Sequence, residues 1–96
     1  MLYGQIISTL KPILPKAEVY LASKMDPNWE GVAVEVNNIF MVIYPTSSVA
    51  NSKDTDWLVD VMQNDGNYDF DPDVNEFPTC EDAIGFIFAK YLLLTK

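Results

Sequence analysis

Two apolar segments that flank Asn37 and Asn38 carry the strongest fold signal in the chain. Residues 30–36 and 39–45 are rich in β-branched and aromatic side chains, and asparagine tolerates the positive φ that a tight type I′ hairpin turn demands. A two-residue loop at this position determines which residues pair. The expected pairs are Val36 with Ile39, Val34 with Met41 and Val32 with Ile43 on one face, and Glu35 with Phe40 and Ala33 with Val42 on the other. The first face is uniformly apolar, which predicts that it packs on a core.

Further strands are predicted on both sides of this hairpin. Residues 17–24 alternate weakly between apolar and polar side chains, and residues 57–63 alternate more clearly. Asp65-Gly66 is a hairpin signal that leads into a strand at residues 67–70.

The connecting segments are rich in turn residues. Residues 25–29 contain Asp-Pro-Asn and are predicted to form a turn, and residues 46–53 are predicted to form a surface loop. Pro72 and Pro78 bracket an acidic segment that we expect to be irregular.

Helices are expected at both ends of the chain. Residues 2–11 place apolar side chains at helical spacing, and Pro12 and Pro15 are expected to end this helix. Thr79 is a suitable N-cap for a second helix, because two acidic residues follow it in the first turn. The core-facing stripe expected in this helix comprises Ile84, Ile87, Phe88, Tyr91 and Leu92.

The resulting order of elements, α-β-β-β-β-β-α, predicts one α+β domain that spans residues 1–96. Short connections favour an antiparallel meander of four or five strands, with the N- and C-terminal helices packed on the same face of the sheet. Apolar residues make up 49% of the chain, which is enough for a core and argues against intrinsic disorder.

The charge balance limits the possible partners. The chain has a net charge of −8, with six lysines, no arginine and no histidine, whereas surfaces that bind nucleic acids or anionic membranes are basic. We therefore expect neither direct nucleic-acid binding nor membrane binding. The most apolar segment, residues 83–94, is interrupted by Lys90 and is too short to span a bilayer. The N-terminus lacks the pattern of a signal peptide, so we expect a cytoplasmic protein.

Residue types that usually carry out catalysis are largely missing. Cys80 is the only cysteine, which excludes an internal disulfide and a multi-cysteine zinc site. Without histidine, the usual nucleophile–base pairs cannot be assembled, and the glycines are too scattered for a phosphate-binding loop. We expect no enzyme, no catalytic residues and no cofactor, and a packing role for Cys80.

Negative charge is concentrated in the second half of the chain. Ten of the fourteen carboxylates lie between Asp54 and Asp82, and no basic residue occurs from Asp54 to Ala89. Such a block repels itself and attracts cations or basic surfaces. The residues expected to contact a partner are Asp54, Asp56, Asp60, Asp65, Asp69, Asp71, Asp73, Glu76 and Trp29.

The spacing of the aspartates suggests how a partner is recognised. Side chains two residues apart in an extended segment share a face, so Asp69, Asp71 and Asp73 are expected to form a row, to which Asp60 adds. A row of fixed negative charges resembles a nucleic-acid backbone to a phosphate-binding protein. Small acidic proteins of phages and mobile elements block nucleases, restriction systems or CRISPR complexes in this way. Immunity proteins against nuclease toxins use negative charge in a similar way. By analogy of size and composition, we expect a DNA-mimic inhibitor of a basic nuclease or nucleic-acid-binding complex.

Calcium binding is one alternative. Residues 65–76 place oxygen-bearing side chains at the ligand positions of a twelve-residue EF-hand loop. However, Phe70 occupies the position of the usual glycine, and Pro72 removes a backbone donor. The pattern is compatible only with a weak divalent-cation site, and no residue is assigned as a metal ligand.

Self-association is a second alternative. The final helix is apolar nearly all round, because Phe86, Leu93 and Leu94 widen its stripe, and such a helix is either fully buried or contacts another molecule. Monomer and homodimer both remain open, as does a non-enzymatic adaptor whose acidity only provides solubility. Trp57 lies on an alternating strand and is expected in the core, whereas Trp29 ends a turn and is a candidate for an exposed anchor.

Overall fold

The computed structural model describes residues 2–46, 56–63 and 73–96. In chain order these residues form α1 (Tyr3–Ile13), β1 (Glu18–Leu21), a short 3₁₀ helix (Ala22–Lys24), β2 (Val32–Val36), β3 (Ile39–Pro45), β4 (Trp57–Gln63), β5 (Asp73–Phe77) and α2 (Cys80–Leu94). All neighbouring strands are antiparallel, and the sheet order is β1-β2-β3-β4-β5. The predicted α+β class and the meander topology are therefore confirmed.

The β2–β3 hairpin has the register predicted from the sequence, from Val32 opposite Ile43 to Val36 opposite Ile39. Asn37 has a φ of 55° and is the only non-glycine residue with positive φ in the described part of the chain. The turn therefore departs from type I′, which requires positive φ at both central residues. The Asn37 side-chain amide donates a hydrogen bond to the Leu94 carbonyl oxygen (2.5 Å), and this bond connects the turn to the end of α2.

The predicted boundaries of the first two elements are wrong by a few residues. α1 continues to Ile13 and contains Pro12 in its last turn. Proline lacks the N–H that would bond to the Ser8 carbonyl, so this bond is lost, and the helix ends one residue later at Ile13. β1 is shorter than the predicted strand at residues 17–24, because the chain leaves the sheet after Leu21 and enters the 3₁₀ helix.

The acidic segment between Pro72 and Pro78, predicted to be irregular, contains β5. This strand pairs with β4, so that Val74 lies opposite Asp60 and Phe77 opposite Trp57. Aspartate and asparagine disfavour strands, but the edge of β4 presents backbone N–H and C=O groups that need partners, and pairing outweighs this weak propensity. The strand predicted at residues 67–70 lies outside the described residues.

Both helices pack on one face of the sheet, as predicted. The main core on this face contains Ile6, Leu10 and Leu14 from the N-terminal segment, Val19, Val32, Val34, Val36, Met41, Ile43, Trp57 and Val59 from the sheet, and Cys80, Ala83, Ile84, Ile87 and Tyr91 from α2. Trp57 is therefore a core residue, as expected. The Lys16 backbone N–H donates a hydrogen bond to the Tyr91 hydroxyl (3.0 Å), which connects α2 to the segment after α1.

The stripe predicted for α2 is partly wrong. Phe88 and Leu92 were expected to face the core, but they are 37% and 51% exposed, and Leu93 is 64% exposed. Ile84, Ile87 and Tyr91 are buried as predicted, and Ala83 takes part in the buried stripe in place of Phe88 and Leu92. In a helix that is apolar nearly all round, the pattern of apolar residues does not specify which side turns inward.

A second, smaller core lies on the other side of the sheet, which we call the outer face. Ala22, Ala33, Phe40 and Val42 are buried there. Partly buried Tyr20, Trp29, Tyr44 and Met62 pack against them. Neither helix covers the outer face, and among the described residues this small core is lined by side chains of the sheet and of the segment between β1 and β2.

Candidate functional site

The outer face contains an open depression with a volume of about 400 Å³. Its described walls come from three parts of the fold: Asn28, Trp29 and Glu30 before β2, Val42 and Tyr44 on β3, and Asp60 and Met62 on β4. Trp29 and Asp60 are two of the residues predicted to contact a partner. The fold brings them to the same site although they are far apart in the sequence.

A tight turn positions Trp29 at the depression. The Asn28 N–H donates a hydrogen bond to the Asp26 carboxylate (2.9 Å), and the Trp29 N–H donates one to the Asp26 carbonyl oxygen (2.9 Å). Aspartate followed by proline favours this geometry, so the predicted turn at residues 25–29 is confirmed. Trp29 is half-buried, and its ring lies 5.9 Å from the Phe40 ring between centroids.

Gly31 returns the chain from this turn to the sheet. Its φ is 104°, a conformation that L-residues rarely adopt. A Cβ atom at this position would lie 2.2 Å from the Ile43 carbonyl oxygen and 2.9 Å from the Tyr44 Cβ. Glycine therefore allows the segment that carries Trp29 to approach β3 closely.

A tyrosine–aspartate pair on β3 and β4 also lines the depression. The register places Val42 opposite Asp60, and the Tyr44 hydroxyl reaches diagonally to lie 3.1 Å from each Asp60 carboxylate oxygen. Burial raises the pKa of Asp60, and the hydrogen bond from Tyr44 opposes this shift. Burial, together with the charge of Asp60 and this bond, raises the pKa of Tyr44 to about 12. The tyrosine therefore remains a protonated donor at neutral pH.

Other carboxylates extend the negative charge of the outer face beyond the depression. The Tyr20 hydroxyl donates a hydrogen bond to the Glu35 carboxylate on the neighbouring strand, which repeats the tyrosine–carboxylate arrangement. Glu76 lies on the same face opposite Leu58 and is exposed. Because no described strand contains a lysine, the sheet itself provides no positive charge to this face.

The structure separates the other predicted contact residues. Asp73 is exposed at the start of β5, opposite Val61, and so points to the side of the sheet that carries the helices. We expected Asp60 to extend a row of carboxylates that includes Asp73. This prediction is wrong, because Asp60 lies opposite Val74, and neighbouring residues of a strand, such as Asp73 and Val74, point to opposite faces. Asp56 is half-buried immediately before β4. Asp54, Asp65, Asp69 and Asp71 lie outside the described residues.

Several residues of the depression were not predicted from the sequence. Tyr44, Val42 and Met62 alternate with core residues along β3 and β4. The sequence pattern already placed Val42 on the face away from the predicted core, and the same alternation assigns Tyr44 and Met62 to that face. It could not bring Tyr44 to Asp60, because the segment between β3 and β4, residues 46–56, is too long for a tight turn to set their register.

The described part of the proposed calcium loop forms a strand. Asp73 and Glu76, which would occupy ligand positions 9 and 12 of an EF-hand, lie on opposite faces of β5. Residues 65–72 lie outside the described residues. Among the described residues, no group of three or more carboxylate, cysteine or histidine side chains has an arrangement suited to a metal ion.

Cys80 begins α2 and is buried. Burial raises the pKa of its thiol to about 11, so the thiol stays protonated at neutral pH. A protonated, buried thiol is a poor nucleophile, in keeping with the packing role expected from the sequence.

Replacing Asp60 with asparagine should stabilise the fold near neutral pH. Because burial raises the pKa of Asp60, the folded chain binds this proton more strongly than the unfolded chain, and stability falls as the pH rises through the folded pKa. The asparagine side chain of the variant cannot ionise but can still accept the Tyr44 hydrogen bond. We expect Asp60→Asn to gain less than about 1 kcal/mol, since solvent screens a half-buried charge.

Urea denaturation at a series of pH values tests this expectation. The advantage of Asp60→Asn over the wild type should shrink as the pH falls below the folded pKa, where Asp60 becomes neutral. Asp73→Asn, on the exposed start of β5, controls for the general effect of removing one negative charge. A loss of stability in Asp60→Asn at neutral pH, beyond that of Asp73→Asn, would contradict the assignment of Asp60 as a destabilising carboxylate.

Comparisons of the chain with models of protein families, with curated proteins and with solved structures found no match. No helix of the described residues combines the length and the apolar character needed to cross a lipid bilayer. Fold and site together define a small α+β domain with an acidic, aromatic-walled depression on its outer face.

Proposed function

We propose that this chain is a small acidic binding protein whose outer face receives the basic surface of a partner protein. One observation carries the proposal: the half-buried Asp60, held by Tyr44, lines the same depression as Trp29. Interfaces are commonly centred on an aromatic anchor in a pocket, and opposite charge guides the approach of a partner. The net charge of −8 favours association with basic proteins over self-association.

The partner class in this proposal is a nuclease or another nucleic-acid-binding complex in the cytoplasm. Such proteins present lysine and arginine side chains to bind phosphates, and an acidic chain bound there would exclude the nucleic acid. The chain would then act as an inhibitor. The proposal differs from the row of aspartates expected from the sequence, because it places recognition on the outer face rather than along one strand.

The exposed side of α2 favours a second candidate, a homodimer or adaptor. Phe88, Leu92 and Leu93 are all exposed on this helix, and neighbouring exposed apolar side chains often mark an interface. Analytical ultracentrifugation separates the two candidates. A dimer that dissociates on Leu92→Glu substitution would support the second one.

The first candidate is tested with an identified partner. A tagged full-length chain captures proteins from lysate at low salt, and the affinity of each identified protein is then measured over a series of salt concentrations. We expect a basic protein whose affinity falls as salt rises, because salt screens exposed charges. A partner whose affinity is independent of salt would contradict the proposal.

Two substitutions on β5 test which face is used. Glu76 and Asp73 are both exposed on the same strand but point to opposite sides of the sheet. Glu76→Gln should weaken partner binding about two- to fivefold, as expected for one exposed interfacial charge. Asp73→Asn is the matched control and should leave the affinity unchanged. An equal effect of both substitutions would show that overall charge, rather than the outer face, determines binding.

A further inference from the structure

We infer that the depression on the outer face binds a single arginine side chain of the partner. The inference rests on the proposed function and specifies its central contact. The required features lie together at the depression: aromatic walls at Trp29 and Tyr44, a carboxylate at Asp60, and a second carboxylate at Glu30.

The aromatic walls favour a planar cation. Guanidinium groups stack on the faces of tryptophan and tyrosine rings, where the negative face of the ring attracts the charge. The Trp29 ring packs against the buried Phe40 ring, and the Trp29 backbone N–H donates a hydrogen bond to the Asp26 carbonyl oxygen. A wall that is already fixed loses little conformational entropy when a ligand binds.

Asp60 provides the hydrogen-bond acceptor. The Tyr44 hydroxyl lies 3.1 Å from both carboxylate oxygens but has only one proton to donate, whereas an ionised carboxylate offers about four acceptor sites. Both oxygens therefore keep capacity for two parallel N–H donors of a guanidinium. Burial has already removed part of the water around Asp60 and raised its pKa, so a cation at this position would replace the lost solvation.

Two apolar residues among the described walls suit the arginine stem, while Asp60 and the aromatic walls disfavour other occupants. Val42 and Met62 offer apolar contact to the methylene groups of a long basic side chain. Lysine could also enter, but its ammonium group neither stacks as a plane nor donates a matched pair of hydrogen bonds. A neutral side chain of the same shape would leave the Asp60 charge uncompensated.

The test uses the full chain and two small probes, N-acetyl-arginine amide and its neutral counterpart N-acetyl-citrulline amide. NMR spectra of the chain contain indole N–H signals from Trp29 and Trp57, and Trp57 is 4% exposed in the main core. We expect the arginine probe to shift the Trp29 signal saturably at millimolar concentrations, while the Trp57 signal stays in place. Citrulline should bind about tenfold more weakly or worse, because it lacks the charge.

Substitutions then assign the contact. Asp60→Asn should weaken arginine binding about tenfold, and Glu30→Gln, at the exposed rim, should weaken it about twofold. Asp73→Asn is the control on the other side of the sheet and should have no effect. Equal binding of arginine and citrulline, or full affinity in both Asp60→Asn and Glu30→Gln, would overturn the inference.

The failure of this inference is distinguishable from the failure of the proposed function. If partner affinity depends on salt and on Glu76 but arginine does not bind at Trp29, the partner uses the outer face without this contact, and the inference alone fails. If the identified partner binds independently of salt and of Glu76, the proposed function fails. If Asp60→Asn loses partner binding and the chain binds the arginine probe more tightly than the citrulline probe, both the inference and the proposed function are supported.

Discussion

Gly31→Ala should destabilise the fold by about 3 kcal/mol or more. The substitution introduces a side chain at a φ of 104°, which is costly for any L-residue. It also places a Cβ 2.2 Å from the Ile43 carbonyl oxygen. That oxygen belongs to the central strand of the sheet and cannot move without disturbing two strand pairings, so strain and steric overlap add together.

Urea denaturation measures this loss, and Gly85→Ala is the matched control. Gly85 lies in the middle of α2, and a Cβ there meets no atom within 4 Å. Alanine is favoured over glycine inside a helix, so Gly85→Ala should stabilise the fold by up to about 1 kcal/mol. Equal stabilities of Gly31→Ala and the wild type would show that the segment carrying Trp29 does not approach β3 as described.

Phe40→Ala should destabilise the fold by about 3 to 5 kcal/mol, because it empties the centre of the small core on the outer face. Phe40 is 0% exposed although neither helix covers it. Trp29 rests on its ring, so the substitution also removes the support for one wall of the depression. The arginine probe should then bind more weakly, even under conditions where the variant remains folded.

The same substitution at Phe88 provides the control. Phe88 is 37% exposed on α2, where alanine has the better helix propensity. We expect Phe88→Ala to cost less than about 1 kcal/mol. Losses of similar size at Phe40 and Phe88 in urea denaturation would contradict the presence of a second core.

The parts of the fold that could be predicted from the sequence are those set by local geometry. The two-residue connection at Asn37 and Asn38 determines the β2–β3 register completely. Thr79 accepts a hydrogen bond from the Asp82 N–H (3.1 Å), so it is the N-cap of α2 that the sequence predicted. β5 was missed because its existence depends on the edge of β4, a partner that local propensity cannot reveal. The orientation of α2 was partly misjudged because apolar residues surround the whole helix.

Single residues of the candidate site could be predicted from the sequence, but their arrangement could not. Trp29 was singled out because it ends a turn, and Asp60 because it belongs to the acidic block, but nothing in the sequence indicated that they line one depression. Their proximity depends on the β3–β4 register and on the close approach at Gly31. Both are tertiary features, and Tyr44 acquires its role only through them.

Cross-saturation NMR on the chain bound to its identified partner tests the central claim most directly, because it maps the surface that the partner contacts. The account predicts loss of signal at the Trp29 indole and at outer-face residues such as Tyr44 and Glu76, with Leu92 and Leu93 unaffected. A footprint centred on Phe88, Leu92 and Leu93, with Trp29 unchanged, would contradict it and place the interface on α2.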